Sequence, residues 1–374
     1  MPRSLETTAW LESLELFGMR LGLARMGALL ERLGHPEHTF AAIHVVGTNG
    51  KTSVVRLAEA LLLAEGLSVG AYTSPHVTTW AERIRIDGGE ADLERAIERV
   101  RPAAEEFDAT QFEVLTAAAL AEFAEAGVDV AVVEAGLGGR LDATNVLAAP
   151  VVVLTNVALE HTMHLGDTRE AIAAEKLAVV RPGATVVLGE TEWEAAARAR
   201  AAGRVVLVSQ SNVGLAVAAA QELLGRPVDP RAAEDVVVAG RLERRSEDPL
   251  EIWDGAHNLA GVGYLLARLP RREWILVLSI FADKEPERML AAFSALGDRL
   301  IATSSGHPRA LTANDLAARA APFFRRVEVV RDPREALSRA RKAASDGTGV
   351  LVSGSLYLLA SLNAVRATDV PWVM

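Results

Sequence analysis

Short apolar runs alternate with longer helical stretches along most of the 374 residues, and this alternation limits the fold more than any other feature of the sequence. Amphipathic or alanine-rich segments separate the runs and end at glycine or proline. Strands separated by helices favour a mostly parallel sheet covered by helices, so the sequence predicts an α/β fold. The predicted strands of this first series lie at 41–46, 68–73, 128–135, 150–157, 184–189 and 204–208.

A charged, proline-bearing segment at 226–250 interrupts the pattern before a second series of apolar runs begins. Half of the residues are apolar, which is enough for two cores. We therefore predict a first domain over 1–235, a hinge over 236–245 and a smaller Rossmann-like domain over 246–374. The predicted strands of the second series lie at 250–254, 274–280, 299–304, 327–330 and 349–354.

Composition excludes several classes of function. The chain has no cysteine, which rules out disulfides, thiolate metal sites and cysteine nucleophiles. Its net charge of −10 argues against nucleic acid, because such binding depends on Lys and Arg contacts to phosphate. No apolar run approaches the roughly 20 residues that span a bilayer, and the N-terminus does not resemble a signal peptide. We expect a cytoplasmic protein that binds small anionic ligands, without a membrane or nucleic-acid partner.

Lysine is rare in this sequence. Of the 39 basic residues, four are lysines: Lys51, Lys176, Lys284 and Lys342. An ammonium group is compact and, unlike guanidinium, can lose its proton. A chain that favours arginine this strongly is expected to keep lysine where guanidinium cannot replace it, although chance placement explains one or two of the four.

The segment HVVGTNGKTSV at 44–54 follows the first predicted strand and precedes a predicted helix. Its Gly-Lys-Thr order matches the end of a Walker A loop, but Val45 stands where that pattern has its first glycine. Backbone amides in such a loop surround phosphate, and the Thr52 hydroxyl is available to Mg²⁺. The alternative is a glycine-rich turn with an incidental lysine. The predicted phosphate-binding residues are Gly47, Thr48, Asn49, Gly50, Lys51, Thr52 and Ser53.

Polar residues follow the ends of other predicted strands, at the edge where open α/β sheets bind ligands. Glu134 ends an apolar strand and precedes a glycine-rich loop, so its carboxylate is placed to hold a metal beside phosphates. His161, next to Glu160, follows the neighbouring strand and is a further candidate ligand. Ser74 and His76 follow another strand, where a simple turn explains them equally well.

Other polar residues have alternative or structural roles. Arg83 is a candidate anion contact, although a solvated strand edge explains it as well. Asp142 and Asn145 are expected to cap and brace the glycine-rich loop. In the second domain, Asp254 and His257 follow the first strand, where they could present polar groups to a nucleotide.

Taken in order, the motifs resemble one family. Their order is that of folylpolyglutamate synthase and the bifunctional dihydrofolate synthase, members of the Mur ligase superfamily. The resemblance covers about residues 35 to 360 and implies a P-loop NTPase-like parallel sheet domain followed by a smaller Rossmann-like α/β domain. GTNGKT alone indicates the superfamily, whereas EAGLGGRLDATN with DGAHN is specific. The motifs are GTNGKT, TSPH, ERIRIDG, FE at 112–113, EAGLGGRLDATN, EHT, HLGDT, AxEK, GRLE, DGAHN, ADKE and SGSLY.

The resemblance implies an ATP-dependent ligase. ATP would phosphorylate a carboxylate of folate or dihydropteroate, and L-glutamate would displace the phosphate to form an amide. Lys51, Lys176 and His161 are the implied catalytic residues, and Lys176 matches a lysine that the family carbamylates with CO₂. The implied ligands of Mg²⁺, two ions being expected, are Thr52, Ser74, Glu134, His161 and Lys176. The further implied ATP contacts are Asn212, Arg241, Asp254 and His257, and the implied pterin contacts are Arg83, Thr110, Gln111, Phe112 and Glu113.

The sequence departs from the family pattern at three places. Glu160 replaces an aspartate, Leu259 replaces a proline, and the segment from Gly183 to Asn212, which bears on the Asn212 assignment, is shorter than the family's.

Two other functions stay open. One is a cell-wall Mur ligase acting on a UDP-muramoyl peptide, for which the roughly 40 residues before the loop are too few to form the usual nucleotide-sugar domain. The other is a nucleotide-dependent regulatory protein with a degenerate site, which has no need for both a phosphate lysine and a metal cluster. We expect a monomer.

Overall fold

The computed structural model describes residues 3–14, 22–200, 203–209, 211–345 and 347–363. Contacts divide the chain into two compact units, Met1–Val236 and Val237–Met374. The hinge predicted over 236–245 starts beside this division. Within the described residues, no helix has the length and apolar character needed to cross a membrane.

The first unit is built on an eight-stranded sheet with the strand order β4-β3-β2-β5-β1-β6-β7-β8. The six strands from β2 to β8 in this order are parallel, and they include every strand predicted from an apolar run. At one end of the sheet, β3 and the edge strand β4 pair antiparallel and were not predicted, because they are short and lack a buried apolar run. The strands are β1 Ala41–Val46, β2 Val69–Tyr72, β3 Ile84–Ile86, β4 Gly89–Glu90, β5 Val130–Glu134, β6 Val151–Leu154, β7 Thr185–Leu188 and β8 Val205–Leu207.

Helices cover both faces of this sheet. Side chains of β1 alternate between two cores: Ala42 and Val46 face one core, and Ile43 and Val45 face the other. Burial on both faces explains why these strands read as continuous apolar runs. The helices are α1 Arg3–Ser13, α2 Ala24–Arg32, α3 Lys51–Ala64, α4 Leu93–Glu106, α5 Gln111–Ala126, α6 Thr162–Leu165, α7 Arg169–Lys176, α8 Glu194–Arg200 and α9 Asn212–Leu224.

The second unit has a six-stranded sheet with the order β13-β12-β11-β14-β10-β9. All neighbours are parallel except β9, which pairs antiparallel with β10 at the edge. The strands are β9 Glu243–Glu247, β10 Leu250–Trp253, β11 Glu273–Leu278, β12 Arg299–Ala302, β13 Arg326–Val329 and β14 Thr348–Ser353. The helices are α10 Leu259–Leu266, α11 Pro286–Phe293, α12 Ala313–Ala320, α13 Pro333–Ala343 and α14 Leu356–Asn363.

The α/β fold class predicted from the sequence is therefore confirmed. Parallel strands end at a common edge, so the loops that follow β1, β2, β5 and β6 converge. That edge is where the candidate site of the first unit lies.

Candidate active site

The predicted phosphate loop connects the end of β1 to the start of α3. Gly50 precedes the helix with a left-handed φ of 85°, and α3 begins at Lys51. A Cβ atom on Gly47 would lie 1.8 Å from the Thr155 hydroxyl oxygen, so this position accepts glycine only. Val45 instead lies in the strand with its side chain fully buried, which explains why the loop needs no glycine there.

Thr155 and Asn156, which directly follow β6, hold the phosphate loop in place. Asn156 accepts a hydrogen bond from the Asn49 amide at 3.0 Å, and its own side chain donates to the Asn49 carbonyl at 3.1 Å. The Thr155 hydroxyl donates to the same carbonyl at 2.7 Å. The Thr48 amide donates to the Asn156 carbonyl at 2.9 Å. Sequence reasoning missed both residues, although a Thr-Asn pair at the end of an apolar strand is the signal it used elsewhere.

Glu134 joins the loop to the neighbouring strand. Its carboxylate is 2% exposed and accepts from the Thr52 hydroxyl at 2.9 Å and from the Ser74 amide at 3.1 Å. The Lys51 ammonium lies 4.0 Å from the same carboxylate and donates to the Thr48 carbonyl at 3.2 Å. The structure thus brings four predicted site residues together around one buried carboxylate.

Lys176 ends helix α7 behind the loop. Its side chain is 4% exposed, and its ammonium donates to the Gly47 carbonyl at 2.7 Å. Burial, followed by the charge of Lys51, lowers the pKa of Lys176 to about 7, while the carboxylates of Glu160 and Asp142 act against this shift. Near neutral pH a large fraction of this amine is therefore uncharged, and an uncharged amine is nucleophilic.

The glycine-rich loop after β5 fixes the position of Lys176. A Cβ atom on Gly139 would lie 2.5 Å from the Glu175 carbonyl oxygen and 2.8 Å from that of Lys176, so the loop backbone packs directly on the end of α7. The Arg140 side chain pairs with Glu175 at 3.0 Å. Asp142 accepts from the Leu137 amide at 2.7 Å, which is the bracing role expected for it. Burial raises the pKa of this Asp142 carboxyl.

His161 stands immediately before the short helix α6. Its backbone is left-handed, with a φ of 51°, and its Nε2 atom lies 3.8 Å from a Glu160 carboxylate oxygen. Glu160 also acts electrostatically on Lys176. The loop that carries His161 therefore belongs to the surroundings of the buried lysine.

Asn212 reaches the phosphate loop despite the shortened segment before it. It begins helix α9, and its side-chain oxygen lies 2.7 Å from where a Cβ atom on Gly50 would stand. The shortening therefore leaves Asn212 next to the loop.

The predicted pterin segment begins helix α5. Thr110 and Glu113 form a capping box in which the Glu113 carboxylate accepts from the Thr110 amide at 2.8 Å, and Arg25 pairs with this carboxylate at 3.2 Å. The side-chain amide of Gln111 donates a hydrogen bond to the Leu11 carbonyl at 2.8 Å. Thr-x-x-Glu is a sequence signature of a helix start, so this part of the arrangement was readable from the sequence.

The Phe112 ring packs against the start of the glycine-rich loop. A Cβ atom on Gly136 would lie 2.5 Å from this ring, and the Tyr72 ring is 6.1 Å away. The segment after β2 adds a second aromatic cluster, in which Arg83 donates to His76 at 2.9 Å and lies 4.7 Å from the Trp80 ring centre. Burial and the charge of Arg83 lower the pKa of His76 to about 3, so this imidazole is neutral.

In the second unit, hydrogen bonds join the GRLE motif to the DGAHN motif. The Asp254 carboxylate accepts from the amides of Leu242 and Ala256, each at 2.8 Å, and the Gly255 amide donates to the Gly240 carbonyl at 2.8 Å. Burial raises the pKa of Asp254, while Arg241 acts against this. The Arg241 guanidinium bonds the Gly240 carbonyl at 3.2 Å, and His257 contacts the Gly255 carbonyl at 2.9 Å.

Comparisons with known proteins show the family of this chain. The Mur ligase middle domain matches residues 45–223, and the Mur ligase glutamate ligase domain matches residues 240–356. The chain is 32% identical to the dihydrofolate synthase/folylpolyglutamate synthase of Mycobacterium tuberculosis, over 93% of this chain and 90% of that protein. The chain belongs to the folylpolyglutamate synthase and dihydrofolate synthase family. As a member of this family, it is an ATP-dependent ligase that forms amide bonds, and the resemblance inferred from the motifs is confirmed.

Other members of the family give the same result. The Bacillus subtilis dihydrofolate synthase/folylpolyglutamate synthase is 30% identical, over 96% of this chain and 97% of that protein. The structure of the Mycobacterium tuberculosis folylpolyglutamate synthase with ADP and AMPPCP superposes with a TM-score of 0.87, at 32% identity, over 96% of this chain and 97% of that one. The Yersinia pestis bifunctional synthase with AMPPNP and Mn superposes with a TM-score of 0.86, at 30% identity, over 96% and 97% of the two chains.

Proposed function

We propose that this protein uses ATP to add L-glutamate to a folate, and that dihydropteroate is a second acceptor. The observation that carries the proposal is the arrangement around Glu134, where a buried carboxylate, the Thr52 hydroxyl and the Lys51 ammonium meet at the end of a phosphate loop. Relatives that match over more than nine-tenths of this chain are named for these two activities.

The phosphate loop and Lys51 are proposed to bind the β and γ phosphates of ATP. Backbone amides from Gly47 to Ser53 lie at the positive end of helix α3, where anions are stabilised. The hydrogen bonds from Thr155 and Asn156 keep this backbone in one conformation before the nucleotide arrives. Asn212, Arg241, Asp254 and His257 are proposed as further nucleotide contacts.

The residues around Glu134 fit Mg²⁺. The set combines the Glu134 carboxylate with the Thr52 and Ser74 hydroxyl groups, and hard oxygen ligands of this kind suit Mg²⁺. The His161 imidazole is proposed as a further ligand, through nitrogen. The bound metal would offset the negative charge of the phosphates and of the attacking carboxylate. Related synthases carry Mn with AMPPNP, one of them also with L-glutamate, which supports a divalent cation here.

Lys176 is proposed to carry a carbamate. Its neutral amine attacks CO₂, a nitrogen–carbon bond forms as one carbon–oxygen π bond breaks, and one proton leaves to solvent, which converts the neutral amine into an anionic oxygen ligand. At pH 7 about half of an amine with a pKa of about 7 is neutral, against about one in 3,000 for a lysine at 10.5. Guanidinium does not lose its proton in proteins, so arginine cannot take this role.

The reaction needs two displacements. A carboxylate oxygen of the acceptor attacks the γ phosphorus and ADP leaves; the amino group of L-glutamate then attacks the acyl phosphate and phosphate leaves. Lys51 would stabilise the negative charge that builds up on the phosphoryl group in the first step. Arg83 and the segment Thr110–Glu113 are proposed to bind the pterin end, with Phe112 packed beside Gly136. The cytoplasmic location and the monomeric state stay predictions.

The experiment is ADP release with Mg²⁺, ATP and L-glutamate, with dihydropteroate, reduced folates or a UDP-muramoyl peptide offered in parallel. We expect release with a folate acceptor and its loss when L-glutamate is omitted. Release with the UDP-muramoyl peptide alone would overturn the folate proposal, and release that no acceptor changes would favour a regulatory role. Glu134→Gln should abolish release, whereas Glu105→Gln, at an exposed carboxylate paired with Arg101, serves as the matched control.

A further inference from the structure

Three metal-ligating side chains lie together in the connection between α2 and β1, in the segment GHPEHTF at 34–40. One ligand atom from each of His35, Glu37 and His38 lies within 4.8 Å of the others. The His35 Nδ1 atom is 3.0 Å from the Glu37 Oε1 atom, and the His38 Nε2 atom is 3.6 Å from the same oxygen. Two imidazoles thus converge on one carboxylate.

The backbone holds these residues rigidly. Helix α2 ends with bonds from the His35 amide to the Leu30 carbonyl at 2.9 Å and from the Gly34 amide to the Glu31 carbonyl at 3.1 Å, which is the Schellman pattern. A 3₁₀ turn over Pro36–His38 follows at once.

The turn explains why the two imidazoles face each other. Residues three apart in a 3₁₀ turn lie on the same side, and the rings of His35 and His38 stack with centroids 5.1 Å apart. The Thr39 hydroxyl closes the turn by donating to the Pro36 carbonyl at 2.8 Å. The main chain therefore places the two imidazoles on the same side of the turn.

One carboxylate oxygen of Glu37 is buried without a hydrogen-bond partner. Its side chain is 6% exposed, and its Oε2 atom is buried without a hydrogen bond. Buried polar atoms are nearly always paired, because an unpaired one loses its water without compensation. The other oxygen of this carboxylate, Oε1, lies beside the two imidazole nitrogens and is hydrogen-bonded to His35. A cation bound between these groups would compensate the charge of the buried carboxylate.

We propose that His35, Glu37 and His38 bind a divalent transition-metal ion of the zinc class. Ligand atoms around tetrahedral zinc at about 2.0–2.1 Å are about 3.3 Å apart, and the two observed separations fall on either side of that value. Two imidazoles and one carboxylate favour zinc over Mg²⁺, whose ligands are mostly oxygen atoms. The rings are 49% and 68% exposed, so they are free to turn toward the ion, and water fills the fourth position.

This site is separate from the active site. It precedes β1, whereas the phosphate loop follows it, and the six residues of β1 span about 20 Å. A metal here would tie the end of α2 to the entry of the central strand. We therefore expect an effect on stability and none on turnover.

The test is calorimetric titration of the metal-free, full-length protein with ZnCl₂ in excess Mg²⁺ and ADP, which occupy the active site. We expect one zinc equivalent in the wild type and in His161→Gln, and no such equivalent in the double variant His35→Gln/His38→Gln. Each single variant, and Glu37→Gln, should weaken binding about tenfold or more, as loss of one ligand does.

Thermal unfolding gives a second readout. Zinc should raise the melting temperature of the wild type and of His161→Gln but not of the double variant. Equal zinc binding by the wild type and the double variant, or loss of binding in His161→Gln alone, would overturn the proposal. So would displacement of the zinc by Mg²⁺. Because the two imidazoles are largely exposed, their replacement should leave the fold and the ADP release rate unchanged.

Discussion

Replacing Lys176 by methionine removes an ammonium group but keeps a flexible chain of similar length. In the unfolded chain the lysine has a pKa of 10.5, and burial lowers it to about 7 in the folded protein. The protonated amine is therefore less stable in the folded protein than in the unfolded chain, which lowers the free energy of unfolding. Each pKa unit corresponds to about 1.4 kcal/mol, so this loss is about 4 kcal/mol at pH 7 and about 2 kcal/mol at pH 9.

The variant also loses the hydrogen bond to the Gly47 carbonyl, which costs about 1–3 kcal/mol. Lys176→Met should therefore be more stable than the wild type by about 1–3 kcal/mol at pH 7, and by about 2 kcal/mol less at pH 9. The sign follows from the protons bound. Between pH 7 and 10.5 the unfolded chain holds a proton that the folded protein has released, so wild-type stability rises with pH and the advantage of the variant shrinks.

The assay is urea unfolding of both proteins at pH 7 and pH 9 in CO₂-free buffer. Lys342→Met, at an exposed lysine of helix α13, is the matched control and should change the free energy of unfolding little at either pH. An equal difference between Lys176→Met and the wild type at the two pH values would refute the reasoning, because it would mean that Lys176 does not titrate in this range. Adding bicarbonate at pH 7 should stabilise the wild type and leave Lys176→Met unchanged.

Three further changes probe the same site. Lys176→Ala should lose turnover and regain part of it with short carboxylates such as formate; full activity without them would end the carbamate proposal. Asn156→Ala removes both side-chain bonds to the Asn49 backbone and should raise the KM for ATP about thirtyfold, measured by ADP release, since two bonds of about 1 kcal/mol each contribute about 2 kcal/mol; an unchanged KM would contradict the bracing role. Gly139→Ala places a methyl group 2.5 Å from the Glu175 carbonyl and should lower the free energy of unfolding by about 1–3 kcal/mol, together with turnover. Wild-type stability in that variant would show that the loop does not hold α7.

The fold was readable wherever strands are buried on both faces. Every strand predicted from an apolar run forms, because a parallel sheet covered by helices imposes such runs. The antiparallel strands β3, β4 and β9 at the ends of the two sheets were missed, since they lack a continuous apolar run. The segment Glu243–Glu247 is charged and forms a strand only because a tight turn returns the chain beside Leu250–Trp253.

The candidate site was predictable where a motif is local. The residue types of Glu134, Lys51 and Thr52 and their positions after predicted strands indicated a site, and the structure brings the three together. The contacts of Asn156 with the loop and of Gly139 with the end of α7 join residues far apart in the chain, so only the folded structure reveals them.

The decisive measurement follows a labelled acceptor through one turnover. The protein is incubated with Mg²⁺, ATP, L-glutamate and a reduced folate whose side-chain carboxylates carry ¹⁸O. The masses of the folate product and of the released phosphate are then measured by mass spectrometry. We predict that each folate gains one glutamate, that one ADP appears for each, and that one ¹⁸O passes from the acceptor to the phosphate, as an acyl phosphate requires. Phosphate free of ¹⁸O, or ADP released without an extended folate, would contradict the proposed ligase reaction.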